Sequence, residues 1–254
     1  MENKQFEGLT NELFLDNGYL IKKSNKTSDY FLDRANEINL YEQLKNNPNK
    51  FFLTPLSWEF NKDNNFISKY QYYPEAYTLH DVSICKNKMR MVVNLIDKFH
   101  HQDVVIKKFN PKEILDKFKS KTNPIFDLSQ WDRQVEEIIN NYEDGSQFVL
   151  SHNDLVLGNF LKAKSNWILI DFEFASMNHY LFDYASFMGE SLPMSKWDKF
   201  LSILNLNEAE TKKLFDLITY QNYLWSYWAA YMFQETNNEI FKEIALDKLK
   251  KLEG

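Results

Sequence analysis

Cysteine is nearly missing from this chain of 254 residues: Cys85 stands alone. A single thiol excludes an intrachain disulfide and a thiolate metal cluster, and it points to a reducing compartment. No apolar run approaches the ~20 residues that a membrane crossing needs. The opening MENKQFEGLT has no long apolar core, so no signal peptide is expected. These absences together predict a soluble, cytoplasmic protein without membrane insertion. An excess of positive charge is lacking as well. The formal net charge is −6 and the isoelectric point about 5.5, which leaves no global basic footprint for nucleic acid. Any charge that binds phosphate must therefore be local. Glycine and alanine are scarce, and no G-x-S-x-G elbow of a serine hydrolase occurs. His100, His101, His152 and His179 fall in neither H-x-x-x-H nor Cys-His spacing, which argues against a zinc site.

Apolar residues make up 44% of the chain and aromatic ones 16%, enough to bury one large core or two packed lobes. Residues 13–15 and 19–22 read as short strands around Asp16-Asn17-Gly18, and an Asn-Gly pair there is a hairpin signal. Residues 30–44 carry Phe31, Ala35, Ile38 and Leu44 near helical spacing, with Asn47-Pro48-Asn49 as the stop. Strands over 56–60 and 65–70 follow, parted by Asn61-Lys62-Asp63-Asn64. Gln71-Tyr72-Tyr73-Pro74 then breaks the pattern and marks a connector. Beyond it helices dominate. Val92, Leu95, Ile96 and Phe99 form one apolar stripe; Trp131, Val135, Ile138, Ile139 and Tyr142 form another. Three more helices are predicted over 195–204, 207–234 and 239–252, the middle one capped by Asn207 with Glu210.

The most informative stretch is SHNDLVLGNFLKAKSNWILIDFEFASMNHYLFDY, residues 151–184. Residues 147–150 and 167–170 read as strands, so 153–159 is a loop pinned between them, a rigid mount for chemistry. Asp154, then Asn159, then Asp171 at a strand end are the parts that a magnesium-dependent phosphoryl transferase needs. One acid accepts the proton of an acceptor hydroxyl; the amide and the other acid hold the cation that bridges nucleotide phosphates. Asn159 and Asp171 offer the hard oxygens that Mg²⁺ prefers. His152 is read as a brace for the loop rather than as a catalyst.

HNDLVLGN followed by LIDFEFASMNHYLFDYASF resembles the signature of the choline/ethanolamine kinase family. That family is part of the larger group of small-molecule kinases with a protein-kinase-like fold, the aminoglycoside phosphotransferases among them. The segment 178–183 and Leu224-Trp225-Ser226-Tyr227-Trp228 carry the likeness to the choline branch, which extends over about residues 6–235. The resemblance implies an α+β fold of two lobes, a β-rich nucleotide-binding lobe over 1–73 and a mainly helical catalytic and acceptor-binding lobe over 74–254. It implies ATP as co-substrate and Asp154 as base. Gly8, Thr10 and Asn11 would form a phosphate-covering turn just before the first strand, although Glu7 replaces one glycine of the family pattern. Lys22, paired with Glu37 of a D-R-x-x-E helix, would neutralise phosphates, with Arg34 beside the cleft. Gln71, Tyr72 and Tyr73 of the connector would lie by the nucleotide, and Asp183 would tie the catalytic loop down.

Trp225 and Trp228 stand three apart on a predicted helix and share a face. Such a helix is either simply buried or lends its rings to a cation–π cage, the means of recognising a quaternary ammonium that has no N–H to donate. The family likeness favours the cage, with Glu173 and Glu190 adding negative field and Phe174 standing where the family has tyrosine. Ser186-Phe187 replaces the family's Asn-His pair. The implied acceptor is choline. Ethanolamine, thiamine or an aminoglycoside are the nearest alternatives, and a non-catalytic nucleotide- or choline-binding module is the alternative from another class. A homodimer is compatible with all of these.

Overall fold

A computed structural model describes residues 5–6 (backbone only), 8–46 and 50–254. Strands β1 (Gln5–Phe6), β2 (Glu12–Asp16), β3 (Tyr19–Lys23), β4 (Ser57–Phe60) and β5 (Phe66–Gln71) make an antiparallel sheet in the order β1-β2-β3-β5-β4. The β2–β3 hairpin turns at Asn17 and Gly18, whose φ angles of 48° and 82° are the left-handed values an Asn-Gly pair tolerates. The predicted helix over 30–44 loses its first turn, residues 30–33 being non-helical. A single turn, α1 (Lys26–Asp29), is capped by Asn25; α2 (Arg34–Asn46) starts only after a break. Phe31 stacks on Phe118 at 4.2 Å and meets Tyr231 edge-on, so long-range ring packing takes the backbone that local periodicity assigns to helix. Asp33 then caps the new start, its Oδ1 accepting from the Asn36 amide at 3.0 Å. The proposed stop at Asn47-Pro48-Asn49 and the substitution at Glu7 lie outside the described residues.

After the sheet come β6 (Tyr77–Thr78), α3 (Lys86–His100), α4 (Pro111–Lys119), α5 (Asp132–Asn140), β7 (Phe148–Ser151), β8 (Phe160–Ala163), β9 (Asn166–Leu169) and β10 (Ser176–His179). Then follow α6 (Phe182–Ser186), a π-helical turn (Phe187–Ser191), α7 (Trp197–Leu204), α8 (Glu208–Thr236) and α9 (Ile240–Glu253). Both apolar stripes are buried as read except for the half-buried Ile139, and the capping box of Asn207 with Glu210 starts α8. Helix α4 has a signal that the periodicity search passed over: Asn110 caps it, and Pro111 fills the first position, where no amide partner is needed. Strand β10, SMNH, has no strand-like alternation and exists through its register with β7, Ser176 opposite Ser151. Among the described residues no helix is long and apolar enough to cross a membrane.

Strands β7 and β9 each sit one residue off their predicted places. Ile170 leaves β9 and donates instead to the carbonyl of Asn159 at 3.1 Å, which draws the next residue, Asp171, to the side of the loop.

Candidate active site

The loop after β7 is held by its backbone. Oδ2 and Oδ1 of Asp183, on α6, accept from the amides of His152 and Asn153 at 2.9 and 2.8 Å, and His100 Nε2 bonds to the same carboxyl at 2.9 Å. Burial works against the Asp183 anion, but these partners outweigh it and keep the group below the usual carboxylate range. Ser186 accepts from the Leu155 amide at 2.9 Å, and Ser191 donates to the Leu155 carbonyl at 2.7 Å. Asn153 adopts φ 66° and Asp171 φ 67°, left-handed backbone that costs a non-glycine residue and persists where surrounding bonds over-determine it. Asn153 is so determined: its Nδ2 donates to the Phe174 carbonyl and to Ser176, and its Oδ1 accepts from Asn178. His152 is fully buried, its pKa lowered chiefly by that burial. The neutral ring bonds through Nε2 to the Ile170 carbonyl at 2.9 Å, joining the loop to the strand end that carries Asp171.

Asp154 and Asn159 meet directly: Asn159 Nδ2 donates to Oδ2 of Asp154 at 3.0 Å. Burial first, then the carboxylates of Asp171, Glu190 and Glu173, push Asp154 up to about 7. The protein's own field here is negative; a bound divalent cation would act in the opposite sense and favour the ionised carboxylate.

Lys22 is the buried member of its pair, while Lys23 reaches back to Glu12. The lysine is not paired with Glu37. Its ammonium bonds to Asp171 Oδ1, and to Glu173 Oε2 at 2.8 Å. Burial alone would lower Lys22, but Asp171 and then Glu173 more than reverse this and leave it raised. Glu37 is taken by Arg34 at 2.5 Å and accepts from Tyr41 Oη at 2.7 Å. Arg34 also holds Asp29 at 2.7 Å and approaches Glu173 at 3.4 Å. A guanidinium has several donors at fixed angles and can serve three carboxylates, whereas an ammonium is a point charge. The expected Lys22–Glu37 pair is thereby displaced, and Arg34 is the centre of a buried ion-pair network.

Gly8, Thr10 and Asn11 lie in the link from β1 to β2, so the turn is the tip of a hairpin and does not precede the first strand. A Cβ on Gly8 would fall 2.2 Å from the carbonyl oxygen of Asn11, so only glycine fits this bend. Asn11 Nδ2 donates to Glu173 Oε2 at 3.3 Å.

One cavity of about 530 Å³ brings most of the expected residues together: Gly8, Thr10, Asn11, Lys22, Asp154, Asn159, Asp171, Glu173, Phe174, Glu190, Trp225 and Trp228 all line it. Glu37, Gln71, Tyr72 and Tyr73 do not. Trp225 and Trp228 meet edge to face at 6.2 Å, and Phe174 sets its ring against Trp225 at 5.4 Å. The other rings of α8 turn away. Tyr220 donates to the Pro111 carbonyl, Tyr223 to Asp132, and Tyr231 stacks on Tyr30. Simple burial therefore describes most of the helix, and the two tryptophans are its cavity face. Glu190 is not a free acid, since Lys248 of α9 bonds to it. Helix α9 also supplies Ile240, Glu243, Ile244 and Asp247 to the lining. Their spacing of i, i+3, i+4, i+7 was readable as a helix face, but its mixture of apolar and charged residues hid it from a search for apolar stripes.

Asn159 and Asp171 fit magnesium by donor chemistry, because that ion takes one or two protein oxygens and completes its shell with water and phosphate. Among the described residues no group of three His, Cys, Asp or Glu could hold a metal alone, which suits an ion shared with a nucleotide.

A small antiparallel sheet joined to a larger helical part, with this loop between them, is the architecture of protein-kinase-like small-molecule phosphotransferases. The choline kinase LicA from Streptococcus pneumoniae superposes with a TM-score of 0.81 at 22% identity, over 99% of this chain and 93% of that one. The chain belongs to the choline/ethanolamine kinase family, whose model matches residues 73–246. A choline/ethanolamine kinase family protein from Mesorhizobium loti gives a TM-score of 0.71 at 15% identity, over 100% and 87% of the two chains. A GDP complex of an aminoglycoside 2'-phosphotransferase gives 0.67 at 14%, over 100% and 91%. At these identities the structural likeness shows the fold. No curated protein sequence matches the chain.

Proposed function

We propose that the chain is a choline kinase, which transfers the terminal phosphoryl group of ATP to the choline hydroxyl and makes phosphocholine. The observation that carries this reading is a single cavity lined at once by Lys22, Asp154, Asp171, Trp225 and Trp228. Asp154 orients the acceptor hydroxyl and takes its proton as the oxygen bonds to the terminal phosphorus and the bond to the ADP oxygen breaks. Its part is mainly positioning, because the transition state is loose and the nucleophile needs little activation. Lys22 neutralises phosphate charge, and the Gly8–Asn11 turn covers the phosphates. Magnesium, held by Asn159 and Asp171, would supply the remaining charge neutralisation. Trp225, Trp228 and Phe174 offer ring faces to the trimethylammonium group, each good contact being worth ~0.5–2 kcal/mol. The division of labour at residues 73 and 74, with Gln71, Tyr72 and Tyr73 toward the base, belongs to this proposal, as does a cytoplasmic setting.

Glu243 and Asp247 on the same cavity favour, as a second reading, an acceptor with primary amines such as ethanolamine or an aminoglycoside. An ADP-release assay with choline, ethanolamine, thiamine and kanamycin separates the two. Turnover highest with choline, and abolished by excess chelator until magnesium is restored, is the expected result. Turnover confined to another alcohol would remove the choline assignment, and full activity in chelator would remove the metal roles.

A further inference from the structure

The acceptor end of the cavity contains a cation of the protein's own. Lys248, near the end of α9, is 3% exposed and lines the cavity together with Trp225 and Trp228. Its ammonium bonds to Oε2 of Glu190 on the π-helical turn. Lysine is seldom buried to this degree unless paired. Oε1 of Glu190 is buried with no hydrogen-bond partner among the described residues, so the carboxylate is committed to Lys248 through one oxygen. The neighbouring acid of α9, Asp247, is bonded to Lys251 at 2.7 Å. Of the acids that this wall presents, only Glu243 has no ion-pair partner among the described residues. The wall thus looks acidic in sequence yet presents about one uncompensated charge.

We propose that Lys248 is a specificity-determining residue: by occupying Glu190 it limits the acceptor to one positive charge and turns away di- and polycationic alcohols. The proposal rests on the amino-alcohol kinase reading and deepens it. A monocation at the tryptophan faces meets aromatic surface and one free carboxylate. A second ammonium deeper in the pocket would meet the Lys248 ammonium. At ~5 Å and an effective dielectric of ~20, two bare like charges cost upwards of about a hundredfold in affinity, which the Glu190 partner of Lys248, Asp247 at 3.8 Å, solvent and salt reduce.

The test is a tryptophan-fluorescence titration of the full chain with choline, one charge, and with 1,3-diamino-2-propanol, two charges, taking the ratio of their dissociation constants. Lys248→Gln keeps a donor for Glu190 and drops the charge. It should shift the ratio toward the diamine by about tenfold or more. Glu190→Gln leaves the lysine uncompensated and should shift the ratio the other way by a similar factor. The double variant, Glu190→Gln with Lys248→Gln, should return to within about threefold of the parent. A merely structural pair would lower the melting temperature of both single variants and leave the ratio alone, which overturns the proposal. If Lys248→Gln does not fold, Glu190→Gln decides by itself, and a ratio unchanged or moved toward the diamine refutes the idea. A wild-type chain that binds neither amine sinks the acceptor reading, and this proposal with it. One that binds choline with a ratio blind to Lys248 sinks the proposal alone.

Discussion

The side-chain amide of Asn159 donates twice to Asp154, at 2.8 Å to its carbonyl oxygen and at 3.0 Å to Oδ2. The residue proposed to hold the cation therefore also orients the proposed base, and the two cannot be altered independently. Asn159→Ala would release both.

Asp154→Asn is the cleaner change, since it keeps the shape and removes the proton acceptor. It should lower kcat by ~10²–10⁴ and leave nucleotide affinity nearly unchanged. Steady-state kinetics beside nucleotide titration checks this, and near-normal turnover would remove the assignment.

Trp225→Ala and Trp228→Ala should each raise the KM for choline by about 2- to 30-fold, the equivalent of ~0.5–2 kcal/mol per ring. The KM for ATP should move much less. Equal effects on both substrates would mean that the helix had merely loosened.

Arg34→Met should destabilise the fold by roughly 3–5 kcal/mol, because it leaves the buried Glu37 without its cation, while Glu173 keeps Lys22. Chemical denaturation measures the loss. Arg34→Lys should recover only part of it, since an ammonium cannot span Asp29, Glu37 and Glu173 together. Full rescue by lysine would show that charge alone matters there.

Gly8→Ala should raise the KM for ATP roughly tenfold, about 1.4 kcal/mol, through the clash of its Cβ with the Asn11 carbonyl. Because Gly8 is exposed at a hairpin tip, the melting temperature should barely change. A large thermal shift with normal ATP kinetics would give the turn a folding role instead.

Asp154 and Asn159 could be read from the chain because they lie in a short loop between strands, and Asp171 because it closely follows a strand end, places where local geometry leaves few alternatives. The tryptophans were legible for a similar reason: residues three apart on a helix share a face. The Lys22–Glu37 pair was read wrongly, because Asp171 and Glu173 are brought to Lys22 by the fold from far along the chain, while Arg34, three residues before Glu37 on the same helix, takes that acid locally. Phe31 marks a comparable limit, since its helical spacing yields to ring contacts with Phe118 and Tyr231, far away in the chain.

Sequence alone determined strands β2 to β5, β7 and β9, most of the helices and the order of the candidate site groups, all set by interactions among near neighbours. Tertiary structure decided which charges compensate one another. Lys22 joined Asp171 and Glu173, and Lys248 covered Glu190. Coulomb interactions in a buried site depend on distance in space, and distance along a chain does not specify it.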